Sequence, residues 1–113
     1  MTTHVDRFVL DRLPRPGQLP EFRFDLPGLR YPEHLNAAVE LVDRAVADGD
    51  GGRPAVVNDA GAWTYADLAD RSDRIARVLA EEGLVPGNRV LLRGPNTATM
   101  IACWLGVLKA GLD

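Results

Sequence analysis

The sequence has few of the residues that most often carry nucleophilic or metal chemistry. Its 113 residues include one cysteine, Cys103, and two histidines, His4 and His34. A single cysteine has no internal disulfide partner, so nothing in the chain requires an oxidising compartment, and we expect it to be cytoplasmic. The histidines stand on opposite sides of a proline-rich segment with no cysteine at a ligand spacing, so we predict no metal site.

Long apolar runs and an excess of positive charge are missing as well. The longest apolar run, 100–108, is far shorter than the roughly 20 residues that a membrane-spanning helix needs. No secretory signal can be recognised at the N-terminus. The 13 Lys and Arg against 16 Asp and Glu give a net charge of −3, whereas nucleic-acid binders concentrate positive charge. We therefore expect neither a membrane nor a nucleic acid as a partner.

What is present is the composition of a globular domain, with 46% hydrophobic and 26% charged residues. Up to residue 33, prolines and glycines are too dense for long helices or central strands. The apolar residues of this segment are numerous enough to predict an arm that lies on a folded body, with a frayed leader as the alternative. We expect residues 1–33 to form this arm and residues 34–113 a partial α/β subdomain.

A helix and a hairpin are predicted after the arm. Apolar residues recur at helical spacing before the glycine cluster 49–52, which ends the predicted helix. They are Leu35, Val39, Val42 and Val46. The segments 54–57 and 63–65 flank the turn sequence 58–61, which predicts an antiparallel hairpin.

A second helix is predicted from the hairpin to Gly83. Thr64 and Asp67 resemble a capping box in which Asp replaces the usual Glu, so the helix is expected to start there. Ser72, the only serine, falls on its apolar stripe and is not a predicted nucleophile. Three acid–base pairs at helical spacing predict a solvated outer face. These pairs are Asp67/Arg71, Asp70/Arg74 and Asp73/Arg77.

The C-terminal third predicts a strand followed by an apolar helix. Residues 89–93 have the consecutive apolar centre of a strand buried on both faces, which is typical of parallel sheets. Asn96 is the predicted cap of a helix that runs from Thr97 to about Lys109. Its stretch 100–108 has no polar face, so we expect it to be covered on nearly all sides, with Cys103 as a buried structural residue.

The strand and helix are half of a larger motif. Only Leu112 and Asp113 follow the glycine that ends the helix, so the strand–helix–strand unit lacks its second strand. We expect the chain to stop in mid-motif.

One loop occupies a position that often binds ligands. It follows the predicted strand and opens a helix, where free amides and the helix dipole favour anions. Gly94, Asn96 and Thr97 are therefore the candidates for cofactor binding, with simple helix capping as the alternative. We predict no catalytic residue and no metal ligand elsewhere in this chain.

Several short motifs resemble those of the adenylate-forming synthetases. Residues 63–68 resemble the first core motif of that superfamily, and residues 108–111, Leu-Lys-Ala-Gly, resemble the start of the second. Residues 87–96 match the strand and loop between them. The sequence is further similar to the aryl-CoA ligases that act on benzoate and 2-aminobenzoate. The stretches that carry this similarity are 4–6, 31–36, 89–96 and 102–105.

The resemblance implies a ligase reaction for the full-length family. A carboxylic acid, aromatic or other, reacts with ATP, with magnesium assisting, and CoA then displaces AMP from the acyl-adenylate. The phosphate loop, the acids for ribose and metal, and the catalytic lysine of the family do not occur in this sequence, and Lys109, the only lysine, belongs to the second core motif. We therefore expect an α/β N-terminal part of an aryl- or acyl-CoA ligase, without a cofactor of its own and inactive without the missing remainder.

Two alternatives stay open on the residues alone. The first is a non-catalytic interaction module that docks through its apolar helix on a larger ligase subunit. The second is a small nucleotide-binding domain that binds ATP or CoA at 94–97. Whether the chain is itself an enzyme is therefore left open.

Overall fold

The structure is a computed structural model that describes residues 4–113, so the predicted arm begins outside the described part. Three 3₁₀ turns, Leu10–Arg12, Pro16–Gln18 and Pro27–Leu29, interrupt an extended N-terminal segment. An irregular helix over 37–50 follows. The remaining elements are β1 (Pro54–Asn58), β2 (Gly61–Thr64), α1 (Tyr65–Glu81) and α2 (Ala98–Lys109). The predicted succession of helix, hairpin and two long helices is confirmed.

The irregular helix turns more widely than the sequence predicts. π-type turns cover Val39–Asp43 and Val46–Asp50, and Gly49, at a φ of 96°, ends the helical path. Wider turns do not keep a spacing of 3.6 residues, so Ala38 and Val42 are the buried residues of this helix. The predicted apolar stripe is wrong in its other three members, which are exposed: Leu35, Val39 and Val46.

The hairpin and the start of α1 form as predicted. β1 pairs antiparallel with β2, with Asn58 opposite Gly61. Thr64 Oγ1 accepts a hydrogen bond from Asp67 N at 3.1 Å, and Asp67 Oδ2 accepts one from Thr64 N at 2.9 Å. The reciprocal bonds confirm the capping box with Asp in the place of Glu.

The core lies between the irregular helix, the hairpin and the two long helices. It is centred on Ala38, Val42, Leu68, Ala102 and Leu105. Helices α1 and α2 pack closely at Gly106, where an added Cβ would lie 3.1 Å from Ser72 O. Ser72 is fully buried, and its hydroxyl donates to Ala69 O at 3.0 Å. The hydroxyl is thus satisfied inside its own helix, which agrees with a structural role.

Helix α2 departs from the prediction in its cap and in its cover. Thr97 is the cap, because its Oγ1 accepts a hydrogen bond from Met100 N at 3.2 Å, so the prediction of Asn96 is wrong by one residue. One side of the helix packs on the core, but Trp104 is 51% exposed and Cys103 is half-buried. The expectation that other elements cover α2 on nearly all sides is therefore wrong for this chain.

Within residues 4–113, no helix is both long and apolar enough to cross a membrane.

The segment 89–93 lies outside the helices and strands of the structure and is not the doubly buried strand that the sequence predicts. Leu91 is 93% exposed. A strand can have buried side chains on both faces of a sheet only where other elements cover both faces. The described residues place no such cover over Leu91, which is why the prediction fails here.

A single step of parallel pairing is nevertheless present. Val90 N donates to Asp113 O at 2.7 Å, and Asp113 N donates to Asn88 O at 2.8 Å. These two bonds flank Arg89 in the pattern that defines a parallel pair. Arg89 and Asp113 thus have the geometry of one parallel bridge, while β1 and β2 are the strands of the described residues.

The N-terminal segment is held to the body near its start. Val5 N and Asp6 N both donate to Pro86 O at 2.9 Å. Residues 11–33 are all exposed, with local ring contacts such as the stacked Phe22 and Phe24. The predicted docking of the arm is thus observed at its beginning and not along its length.

Candidate functional site

The predicted ligand loop lies beside the hairpin turn. Thr97 and the first residues of α2 line an open cleft of about 320 Å³ together with Asn58 and Trp63. Gly94 and Asn96 are exposed and lie outside the lining of this cleft. Of the three candidates, only Thr97 reaches it. Its hydroxyl is already engaged in capping α2, which is the structural alternative that the sequence left open.

A larger open cleft, of about 770 Å³, brings the two histidines together. His4 and His34 both line it, although they lie on opposite sides of the arm in the sequence. His4 Nε2 lies 3.6 Å from Asp113 Oδ1, and Glu33 lines the same cleft. Across the described part of the chain, no three His, Cys, Asp or Glu side chains are grouped so as to hold a metal ion.

The strongest polar cluster is centred on Lys109, at the end of α2. Its Nζ lies 2.6 Å from Asp43 Oδ1 on the irregular helix and 2.6 Å from Asp73 Oδ1 on α1. The Lys109 side chain is 5% exposed, whereas those of Asp43 and Asp73 are 34% and 57% exposed. One buried ammonium thus ties three helices together, and the carboxylates keep contact with water.

The protonation of Lys109 is set by two opposed effects. Burial lowers the pKa of its ammonium, but the hydrogen bonds to Asp43 and Asp73, and their charges, raise it more. The net pKa lies above the ordinary 10.5. A general base needs a pKa near the working pH, so Lys109, which is a cation at neutral pH, is suited to a structural role.

Asn36 holds the same end of α2 through its amide. Its Nδ2 donates to Leu108 O at 2.7 Å, and its Oδ1 accepts from Ala38 N at 3.1 Å. Asn36 therefore caps the irregular helix while its amide adds a second hydrogen bond to the Leu108 carbonyl, which also accepts from Gly111 N at 3.0 Å. Together with Lys109, it fixes the segment 108–111 against the first helix, a role that the sequence did not predict.

The predicted charged face of α1 is only partly formed. Asp70 pairs with Arg74 at 3.0 Å, as expected. Asp67 is instead engaged in the capping box, and the Arg71 guanidinium lies 4.1 Å from the centre of the Trp63 ring. Asp73 turns to Lys109. The Asp73 side chain is 57% exposed, as expected for a solvated face, but its carboxylate pairs with Lys109 and not with the predicted Arg77. Spacing along one helix carries no information about a cation on another.

The fold and the sequence define the same class of protein. The crystal structure of a benzoate CoA ligase from Burkholderia xenovorans LB400 superposes with a TM-score of 0.64 and 32% identity, over 70% of this chain and 16% of that one. Residues 43–112 match the AMP-binding enzyme family, and the chain belongs to this family. The match includes both core motifs recognised in the sequence.

Two curated relatives share this assignment. The benzoate–CoA ligase of Thauera aromatica is 36% identical over 87 residues, which cover 76% of this chain and 16% of that enzyme. The 4-hydroxybenzoate–CoA/benzoate–CoA ligase of Rhodopseudomonas palustris is 35% identical over 77 residues, 68% of this chain and 14% of that enzyme. The predicted resemblance to an adenylate-forming ligase is confirmed, and the chain corresponds to a small part of such an enzyme.

Proposed function

We propose that this chain is part of an ATP-dependent ligase that converts an aromatic carboxylic acid into its CoA thioester. The similarity to benzoate–CoA ligases over 76% of the chain is the observation that carries this proposal. In the proposed reaction the carboxylate attacks ATP, pyrophosphate leaves, and the thiol of CoA then displaces AMP. Benzoate and 2-aminobenzoate are the acids that the sequence similarity favours, and we propose a cytoplasmic location.

Neither Lys109 nor the loop 94–97 fits the phosphates of ATP, and the described residues contain no group of three His, Cys, Asp or Glu that could hold a magnesium ion. Phosphates are usually bound by free cations and glycine-rich loops. Lys109 is buried between two carboxylates, and the loop 94–97 has one glycine. Because no reacting group can be assigned here, we propose that the chain contributes scaffold to the ligase and that the reacting groups lie elsewhere in the enzyme.

The scaffold role rests on how the second core motif is held. Lys109 and the neighbouring carbonyl of Leu108 are bound by Asp43, Asp73 and Asn36 from two other elements. The end of α2 is therefore positioned by side chains distant in sequence. In the proposed ligase, these contacts would set the position of the residues that follow α2.

A hybrid enzyme tests the proposed activity. The aligned segment of the Thauera aromatica benzoate–CoA ligase is replaced by this chain, and benzoate-dependent formation of AMP and benzoyl-CoA is measured. We expect a soluble hybrid that forms benzoyl-CoA, since the segment supplies packing that both sequences share. A folded hybrid that forms no thioester with any aromatic acid would count against the proposal.

The chain alone tests the scaffold role separately. We expect no acid-dependent exchange of pyrophosphate into ATP by the purified chain, and no saturable binding of ATP or CoA by titration calorimetry. Exchange by the pure chain would place reacting groups within it and overturn the scaffold role. Saturable nucleotide binding that Thr97→Ala weakens would instead favour the nucleotide-binding alternative.

A further inference from the structure

The start of the arm is joined to the turn 85–89 by a dense set of contacts. Besides the two backbone bonds to Pro86, the Asp6 carboxylate accepts hydrogen bonds from Phe8 N at 2.8 Å, Asn88 Nδ2 at 2.9 Å and Arg89 Nη1 at 2.5 Å. The Arg89 guanidinium also lies 4.3 Å from the centre of the Phe8 ring. Charge-assisted bonds of this kind are among the stronger ones in proteins.

Gly87 shows that the turn is shaped to receive this segment. An added Cβ at Gly87 would lie 2.0 Å from Asp6 O, so no side chain fits beneath the arm. Gly87 also has a φ of 90°, which other residues rarely adopt. Two independent requirements therefore favour glycine at the contact point.

The same turn holds the C-terminal end of the chain on its other side. Gly87 N donates to Gly111 O at 2.9 Å, and Asn88 O accepts from Asp113 N at 2.8 Å. Asn88 thus binds Asp6 through its side chain and Asp113 through its backbone. The turn lies between the arm and the first step of parallel pairing.

We propose that residues 4–8 form a strap that sets the position of the turn 85–89 and thereby the register of the parallel pair Arg89–Asp113. The strap residues take no part in the buried core cluster, and residues 11–33, which link the strap to the body, are exposed. The strap can therefore leave the turn without unpacking the helices. The strap thus couples the N-terminal arm to the register of the Arg89–Asp113 pair.

Amide hydrogen exchange, measured by NMR on the full chain, tests this coupling. Asp6→Ala removes the carboxylate that binds Asn88 and Arg89, and Gly87→Ala blocks the approach of the strap from the other side. Asp25→Ala is the matched control, because Asp25 pairs with Arg23 at 3.1 Å in the exposed part of the arm, away from the strap. We expect both strap variants to speed exchange of the Val90 and Asp113 amides about tenfold or more, as for lost hydrogen bonds to a charged group.

The amides of α1 distinguish a strap from a part of the core. We expect their exchange to be unchanged in Asp6→Ala and in the control. Unchanged protection of Val90 and Asp113 in Asp6→Ala would overturn the coupling. Faster exchange throughout α1 would also overturn the proposal, because it would make Asp6 a determinant of the whole fold.

Discussion

A Cβ added to Gly106 would lie 2.6 Å from Ile75 Cγ2, so α1 and α2 can pack as they do only because residue 106 has no side chain. Helix propensity favours alanine over glycine by about 1 kcal/mol. Here a side chain would meet the β-branch of a neighbouring helix, whose shift disturbs the core. Steric conflict outweighs propensity at this position.

We predict that Gly106→Ala lowers the free energy of unfolding by about 1–3 kcal/mol, the usual cost of overpacking. Urea unfolding followed by circular dichroism measures the change. Gly52→Ala is the control, because an added Cβ there meets nothing within 4 Å. If Gly106→Ala left the free energy of unfolding unchanged, α1 and α2 could make room for the added methyl group, and close packing at Gly106 would not be required.

The buried ammonium of Lys109 gives a second prediction. Removing one partner of a buried ion pair costs about 3–5 kcal/mol when the other charge stays buried. Asp43 and Asp73 keep contact with water, so we expect Lys109→Met to cost less, about 1–3 kcal/mol. Arg74→Met, which removes an exposed pair with Asp70, should change the unfolding free energy by less than about 1 kcal/mol. Similar losses in the two variants would refute the special role of Lys109.

The same residue predicts a pH dependence in the alkaline range. The pKa of Lys109 is raised above its ordinary 10.5. Its stabilising contribution is therefore complete below pH 10.5 and is lost as the pH rises through the folded pKa. We expect the stability difference between the chain and Lys109→Met to be constant near neutral pH and to shrink above that value. Urea unfolding at a series of alkaline pH values checks this, and a difference that persists would contradict it.

The capping box predicts a pH dependence of the opposite sign. The hydrogen bond from Thr64 N, followed by that from the Thr64 hydroxyl, holds the pKa of Asp67 below its ordinary 3.8. The stabilisation is present above pH 3.8 and is lost as the pH falls through the folded pKa. The stability difference between the chain and Asp67→Asn should therefore shrink in acid. Thermal unfolding between neutral pH and strongly acidic pH measures it.

Substitutions of Thr64 test the other hydrogen bond of this cap, in which the Thr64 hydroxyl accepts from Asp67 N. Thr64→Ala removes the acceptor for Asp67 N, and we expect a loss of about 0.5–2 kcal/mol. Thr64→Ser keeps a hydroxyl and should retain most of the stability. A serine variant as unstable as the alanine variant would assign the loss to the methyl group and not to the cap.

Substitution of Leu91 should have different effects in this chain and in the ligase of which we propose it is a part. Leu91 is 93% exposed, so Leu91→Lys should change the unfolding free energy of the chain by no more than about 0.5 kcal/mol. Leu105→Ala, in the core, should cost about 2–5 kcal/mol. In the hybrid ligase, the sequence predicts the strand 89–93 to be buried on both faces, so Leu91→Lys should place a charge in the interior and abolish soluble, active enzyme. A tolerant hybrid would argue against burial of this strand in a completed sheet.

Local features were predictable from the sequence because their causes lie within a few residues. The capping box depends on Thr64 and Asp67, three positions apart, and the hairpin depends on its own turn residues. The membership of the AMP-binding family was also predictable, since short motifs at 63–68 and 108–111 carry it. The cap of α2 was misplaced by one residue, because Asn96 and Thr97 have similar capping propensities and only the geometry of the Met100 amide selects between them.

Tertiary structure alone decided which distant residues meet. Lys109 lies 66 and 36 positions from Asp43 and Asp73, and Arg89 lies 83 positions from Asp6. Periodicity within one helix predicts the exposure of Asp73 but pairs it with Arg77, whereas the packing of three helices places its carboxylate 2.6 Å from the Lys109 ammonium. The sequence by itself determined the order of the helices and the hairpin, the cap of α1 and the family. The ion cluster, the strap and the cleft that joins the two histidines depend on contacts between elements, which no spacing along the chain encodes.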